Sequence, residues 1–597
     1  MRAFHATELS KSSKLHQTRV RIAAVPASAR VGMRSLKSIY MTPPGCNRES
    51  LQAAAPLTEV ARLLQSHDQD LAEKAAWLVA CCCRQPEQQQ LALGLGCAPA
   101  LLALIKRQRH LAEVEAAFMG FVMLTASAED MAESDRLQLS HEALQLLNRS
   151  YEASSEGLFA ACCCIINLRC AHASLMDLQR LVLPTLIELA QTCESSVEEK
   201  VPTVLAVLLS LSPTLCTSAF ELGATTVLHF CEDAEDVDAK TLVGALKVLQ
   251  RLCENCPEAR HELMEDQPWQ IICPLLSHTC SEVQQAACDC LTALLSNARA
   301  IHACPVDIGL ASRLVSLVQS TAGPKSLLLS ALGLAQTLLL FDLAIEDVLW
   351  EASIVPHLGR VAAGTQDAEV QRAALRALAN AALELGLRNA RLTQLLEAVP
   401  LQLLTRLCGD AAVPVRGAAY ILLQNLLQSV SPCSPELLAW SGKHDGKEQK
   451  GLVGLLIDWL AAEVAVQPAP DQQLLCTPIL HALANAAVSG DEKTRSQLTQ
   501  PALIDLLPKL LERSSGSATV AALWCLNSLT HRLNGTHGDS LEAWLERKDK
   551  LRHLGMGSAL SACMDSPSPD VRSRALMAIC GLDLPELADR EALRDSI

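Results

Sequence analysis

The chain has 597 residues and a formal net charge of -15; half of its residues are hydrophobic, yet only 3% are aromatic. So acidic a chain lacks the basic stripe that releases counterions from a phosphate backbone, which argues against DNA or RNA as a ligand. The Leu, Ala, Val and Cys that carry its apolar content suit stacked helices better than sheets, and the 25 cysteines, an odd number, read as small buried hydrophobes of a reducing compartment.

Residues 1–47 carry Arg2, Lys11, Lys14, Arg19, Arg21, Arg30, Arg34 and Lys37 against the single acid Glu8. Prolines at 26, 43 and 44 leave little room for a long amphipathic helix, so the segment is expected to be a disordered basic arm. A mitochondrial transit peptide is the competing reading.

From residue 48 the chain repeats itself. Glu282-Val283-Gln284-Gln285-Ala286-Ala287-Cys288-Asp289-Cys290-Leu291 returns as Glu369-Val370-Gln371-Arg372-Ala373-Ala374-Leu375-Arg376-Ala377-Leu378, with weaker copies at 413–422 and 570–579. The spacing is a near-multiple of roughly 40 to 47 residues, the period of armadillo and HEAT arrays. Such units cannot bury an apolar face alone and must stack. Apolar residues at three- and four-residue spacing predict a long helix closing each unit, near 70–83, 111–126, 157–169, 196–212, 237–253, 281–296, 324–341, 368–384, 413–428, 471–488, 517–531 and 569–580.

Ser281, three residues before Gln284, and Asp367 are expected to cap their helices. Two shorter helices precede each long one, and glycines at the break, Gly96, Gly223, Gly309 and Gly555, are expected to reverse the chain through a left-handed conformation. The expected fold is therefore all-α, a right-handed α-solenoid of about twelve armadillo-like repeats without strands. Its repeats would occupy 48–428 and 471–585, with a tail at 586–597. Between them, 429–470 carries an insertion, and the polar run from Ser441 to Lys450 is expected to be a flexible surface excursion or a partner-binding loop.

Catalytic and metal motifs are missing. His141-Glu142 and His261-Glu262 lack the second histidine a zinc site needs, and Cys253-x-x-Cys256 has no answering pair. No enzyme, metal or cofactor is expected, and no segment reaches the ~20 apolar residues of a spanning helix.

What remains is a surface. Long third helices line the concave face of an armadillo solenoid, where an asparagine late in the helix can hold an extended peptide or, alternatively, bond to the adjacent repeat. Asn167, Asn380, Asn425, Asn485 and Asn527 fall at comparable points. Nuclear-import adaptors add a tryptophan one turn earlier, where this chain has Arg376, Ile421, His481 and Leu523, with Trp524 alongside. The expected partner-binding groove is thus Arg376, Asn380, Asn425, His481, Asn485, Trp524 and Asn527.

The run Ala521-Ala522-Leu523-Trp524-Cys525-Leu526-Asn527-Ser528-Leu529, followed by Glu546-Arg547-Lys548-Asp549-Lys550-Leu551-Arg552-His553-Leu554-Gly555-Met556 and then Asp565-Ser566-Pro567-Ser568-Pro569-Asp570, resembles the last repeats of the armadillo repeat-containing protein eight / vacuolar import and degradation family. That family supplies the armadillo subunit of the GID/CTLH ubiquitin ligase. The resemblance reaches back to about Glu258. It implies a non-catalytic scaffold that docks a degron-binding substrate receptor onto a core of LisH-CTLH and RING subunits, in cytoplasm and nucleus. A generic cargo or adhesion adaptor, or an organellar repeat protein, are the alternatives.

Overall fold

A computed structural model describes residues 57–583 apart from short stretches at 108–110, 126–127, 150–152, 169–173, 193–196, 233, 297–307, 321–322, 342, 384–388, 429–436, 439–440, 445–446, 466–469, 514–515, 533–539 and 554–555. The basic arm 1–47, Gly555 and the tail 586–597 lie outside the described residues. The described chain falls into two compact units that divide between Leu294 and Leu295.

The first unit holds six long helices: α1 (Gln69–Cys82), α2 (Leu111–Thr125), α3 (Ser155–Asn167), α4 (Val201–Leu209), α5 (Ala239–Asn255) and α6 (Ser281–Leu294). The second holds six more: α7 (Lys325–Phe341), α8 (Ala368–Ala381), α9 (Val413–Leu426), α10 (Pro470–Ser489), α11 (Ser517–Thr530) and α12 (Pro569–Gly581). Each falls where the apolar spacing predicts one, and within its unit each packs on the next. The fold is an all-α solenoid.

Helix α8 shows why these segments are helical. Asp367 accepts from the backbone N–H groups of Glu369 and Val370 at 3.0 and 3.2 Å, satisfying two orphan donors of the first turn. Val370, Ala374, Leu375, Ala377, Leu378 and Ala381 then recur at helical spacing, and all are buried. Burying each large side chain stabilises the stack by about 1.5–3 kcal/mol. Two shorter helices complete this unit, Leu343–Glu351 and Ile354–Gly364.

Several local expectations are corrected. Helix α6 begins at Ser281 itself, and the Cys280 carbonyl accepts the first helical bond from Gln284, so Ser281 is not the cap. Gly96 and Gly223 do sit in the left-handed region, at φ of +78° and +81°. Gly309 does not, because it lies in the first turn of the helix Ile308–Gln319.

The expectation of a strand-free chain fails at one place. Ser441–His444 (β1) and Lys447–Gly451 (β2) pair antiparallel, with Lys443 opposite Glu448 and His444 opposite Lys447. The helical period is missing from this polar run, and the two extended segments satisfy their backbone groups against each other.

Candidate functional site

The seven expected groove residues all lie on the long helices of the second unit, so each asparagine has the previous helix within reach. Asn380 Nδ2 donates to the Gln336 carbonyl of α7 at 2.7 Å. Asn425 Nδ2 donates to Ala379 of α8 at 2.7 Å, and Asn485 Nδ2 to Gln424 of α9 at 3.1 Å. In the first unit Asn167 does the same, reaching the Val122 carbonyl at 3.2 Å and the Thr125 hydroxyl at 3.1 Å. A helical carbonyl has a second lone pair beyond its i+4 bond, and these amides take it. They act as straps that fix the phase of one helix against the next.

Each strap uses one of the two N–H donors of the amide. Asn425 is only 5% exposed and has little surface to offer a ligand. Asn380 and Asn485 are part-buried, and Arg376 is exposed.

Asn527 breaks the pattern, and the break builds a site. Its Nδ2 reaches forward to the Arg574 carbonyl of α12 at 3.1 Å, while its buried Oδ1 meets no donor among the described residues. The guanidinium of Arg574 lies over the ring of Trp524, 4.9 Å from the centroid, and its Nε pairs with Asp570 at 3.0 Å. Trp524 remains 40% exposed. On α10, His481 is part-buried, and its pKa is lowered by that burial and then by the positive charge of Arg574. Three successive helices thus contribute His481, Trp524 and Arg574 to one cluster, with Met577, 57% exposed, one turn beyond.

Arg574 was missed at the sequence level. With Glu369 set on Asp570 as the repeat requires, Asn380 answers to Gly581 and Arg376 to Met577, so Arg574 stands one turn earlier, at the position of Ala373. Searching for asparagine passed over the last helix because it has none. The cluster can offer a flat aromatic face and a guanidinium already ordered by stacking, which suits a partner side chain that is anionic or aromatic.

The phrase that carries the family resemblance turns out to be packing. Arg547 Nε donates to the Leu529 carbonyl at the end of α11, at 2.8 Å. Lys548 pairs with Asp583, and Arg552 reaches both the Leu582 carbonyl, at 2.5 Å, and Asp583, at 2.7 Å. Cations placed at helix C-termini satisfy the last carbonyls and oppose the negative end of the dipole. Those three side chains knit the last repeat together.

Two further buried ion pairs join neighbouring repeats. Arg416 of α9 pairs with Glu463 at 2.9 Å, beneath Tyr420, whose hydroxyl donates to the Cys408 carbonyl. Arg391 meets Glu346 at 3.2 Å and lies over Trp350. Most of the described thiols are buried, and burial raises their pKa: Cys253 and Cys231 are pushed up to about 12 and Cys216 to about 11. Among the described residues no three His, Cys, Asp or Glu side chains gather as metal ligands, and no single helix is long and apolar enough to cross a membrane.

The fold and its asparagine straps define the class, an armadillo-type α-solenoid. Residues 345–383, which end at α8, match the family Armadillo/beta-catenin-like repeat. A solved structure described as "A conserved phosphorylation switch controls the interaction between cadherin and beta-catenin in vitro and in vivo" is similar over 88% of this chain and 100% of its own, at 15% identity and a TM-score of 0.56. That likeness concerns the fold. A designed armadillo repeat protein in complex with the peptide (KR)4 aligns with 41% of this chain and 99% of its own, at 19% identity and a TM-score of 0.37. An engineered protein aligns over 89% of this chain and 99% of its own, at 16% identity and a TM-score of 0.45. No curated protein matches the sequence.

Proposed function

We propose that this chain is a non-catalytic protein-binding scaffold whose partner surface is the long-helix face of the second unit, centred on Trp524 and Arg574. The observation that carries this reading is the stacked pair itself. A solenoid face needs no exposed tryptophan for stability, and an ordered aromatic beside a guanidinium is the kind of anchor that dominates interface energy. More specifically, the chain is the armadillo subunit of a GID/CTLH-type ubiquitin ligase, joining a degron-binding receptor to the LisH-CTLH and RING core. The resemblance of its last repeats supports that placement.

The test is recovery of tagged full-length chain from cells, followed by mass spectrometry, for the natural protein and for the double variant Arg376→Glu, Trp524→Ala. Both side chains are exposed, so melting should change little. Enrichment of LisH-CTLH and RING subunits with the natural chain, and loss of the receptor with the variant, is the expected result. Recovery of transport, adhesion or mitochondrial factors in their place would refute the ligase assignment. Unaltered partner capture by the folded variant would refute the surface.

A further inference from the structure

Gly333 stands in the middle of α7, where neither the backbone nor the packing asks for a glycine. Apart from proline, glycine is the poorest residue for a helix interior, so a helical glycine needs a compensating reason. The other glycines of the long helices have one. A Cβ on Gly244 would stand 2.5 Å from the Thr203 nitrogen and one on Gly581 2.7 Å from the Thr530 hydroxyl, while those on Gly120, Gly157 and Gly417 would meet side chains at 3.2, 3.2 and 3.0 Å. Gly94 and Gly364 have open space beside them, but each is the last residue of a short helix, where the chain turns away. A Cβ on Gly333 would meet nothing within 4 Å, and Gly333 is not among the residues with positive φ. What its missing side chain provides is room outside the chain.

The neighbouring helix makes that room cationic. Lys325, at the start of α7, pairs with Asp367 and Glu369 at the start of α8, at 2.7 and 3.0 Å, and near the other end Asn380 straps to the Gln336 carbonyl. Tied at both ends, the two helices run parallel, and Gly333 lies level with the turn of α8 that carries Arg376. Arg376 is exposed and Arg372 part-exposed, and neither pairs with a carboxylate among the described residues. Like charges one turn apart on a helix repel, so these two gain from an anion supplied from outside. The Gly333 carbonyl already accepts from the Thr337 hydroxyl at 3.1 Å in addition to its helical bond. A partner therefore gains close approach at Gly333 and charge at Arg376.

We infer that Gly333 and Arg376 form a notch that takes a carboxylate side chain carried on an extended segment of a protein partner. An extended segment exposes its backbone between alternating side chains and can lie against Gly333, whereas a helix holds its backbone away behind side chains on every side. The guanidinium then meets the carboxylate in a charge-assisted, two-pronged hydrogen bond. The inference rests on the partner face proposed above, extends it from α10–α12 to α7 and α8, and names the chemistry of what binds there.

The test is fluorescence anisotropy of a labelled, end-blocked Glu-Ser octapeptide against the full-length chain, with a Lys-Ser octapeptide as control. The natural protein is compared with Gly333→Ala, Gly333→Leu, Arg376→Glu and Trp524→Ala. Gly333→Ala should melt about 2 °C higher, since it adds helix propensity and no clash; a lower melting temperature would mean that packing needs the glycine and would overturn the inference. The acidic peptide should bind and the basic one should not. Affinity should fall about tenfold in Gly333→Leu and in Arg376→Glu and stay unchanged in Trp524→Ala. Should Gly333→Leu not fold, Gly333→Ala and Arg376→Glu decide. No binding of the acidic peptide, equal binding of both peptides, or native affinity in Arg376→Glu or in folded Gly333→Leu overturns the inference. A loss confined to Trp524→Ala overturns the notch and leaves the Trp524 surface standing, so the two assignments fail separately.

Discussion

The two units join their helices in different ways. In the first, apart from the single Asn167 strap, neighbours meet through small residues and thiols. Gly244 of α5 lies so close to α4 that a Cβ would stand 2.5 Å from the Thr203 nitrogen, and Cys162, Cys163 and Cys164 of α3 are fully buried. Eighteen of the 25 cysteines belong to this unit, so its helices approach closely with little side-chain volume between them. In the second unit, amide straps from Asn380, Asn425, Asn485 and Asn527 and the buried pairs of Arg391 and Arg416 cross from repeat to repeat. Dispersion and burial fix the distance between two helices but are indifferent to small rotations, whereas a hydrogen bond fixes which turn faces which. The strapped unit is the one that holds its surface side chains in register, and it is the one that presents the Trp524 cluster.

The largest test of this difference is Glu463→Ala. It leaves Arg416 part-buried without its counter-ion and should cost about 3–5 kcal/mol, read as lost exchange protection in α9 with the first unit unaffected. The matching test in the first unit is Gly244→Val. Its Cβ must push against the backbone at Pro202 and Thr203, and a loss of about 2–3 kcal/mol confined to α4 and α5 is expected. If either substitution lowers protection equally in both units, the two modes of joining are not independent.

Asn425→Ala should cost about 1–2 kcal/mol, because it removes a buried donor from the Ala379 carbonyl. Denaturant melting with local exchange would check it. A folded Asn425→Ala protein with native stability would mean that the strap carries nothing, and would restore the asparagine to the ligand surface.

Thiol reactivity should sharpen the contrast further. Cys580 on α12 is exposed and should alkylate first, while Cys162 and Cys164, raised by burial, should react only on unfolding. Labelling of the α3 thiols at the rate of Cys580 in the native protein would show that the first unit is not closed as described.

The smallest effect is electrostatic. His481 has its folded pKa lowered, so below the unfolded value near 6.5 the unfolded chain binds the proton more readily, and stability falls as pH drops through that value toward the folded one. Arg574→Ala removes one cause and should raise the His481 pKa in an NMR titration. No shift would place Arg574 elsewhere than beside it.

Much of the fold could be read directly from the residues. The spacing of Val370, Ala374, Leu375 and Leu378, and its echoes, places all twelve long helices, because an apolar face at helical period is a local property and needs no knowledge of its partner. The hairpin at Ser441–Gly451 was not legible in this way, since strand pairing there depends on two polar segments meeting each other. The roles of the asparagines were equally hidden. Position alone left Asn425 to hold a peptide or to bond to the adjacent repeat, and only the packed structure shows its Nδ2 on the Ala379 carbonyl. Arg574 became part of the site because α12 comes to rest against α11, which sets its guanidinium over Trp524. The sequence by itself determined the repeat, its period and the helices, because these follow from short-range patterning. Tertiary structure alone decided which polar groups were consumed in joining repeats and which stayed free for a partner, because a hydrogen bond between helices is settled by their relative phase, and that phase is a property of the stack.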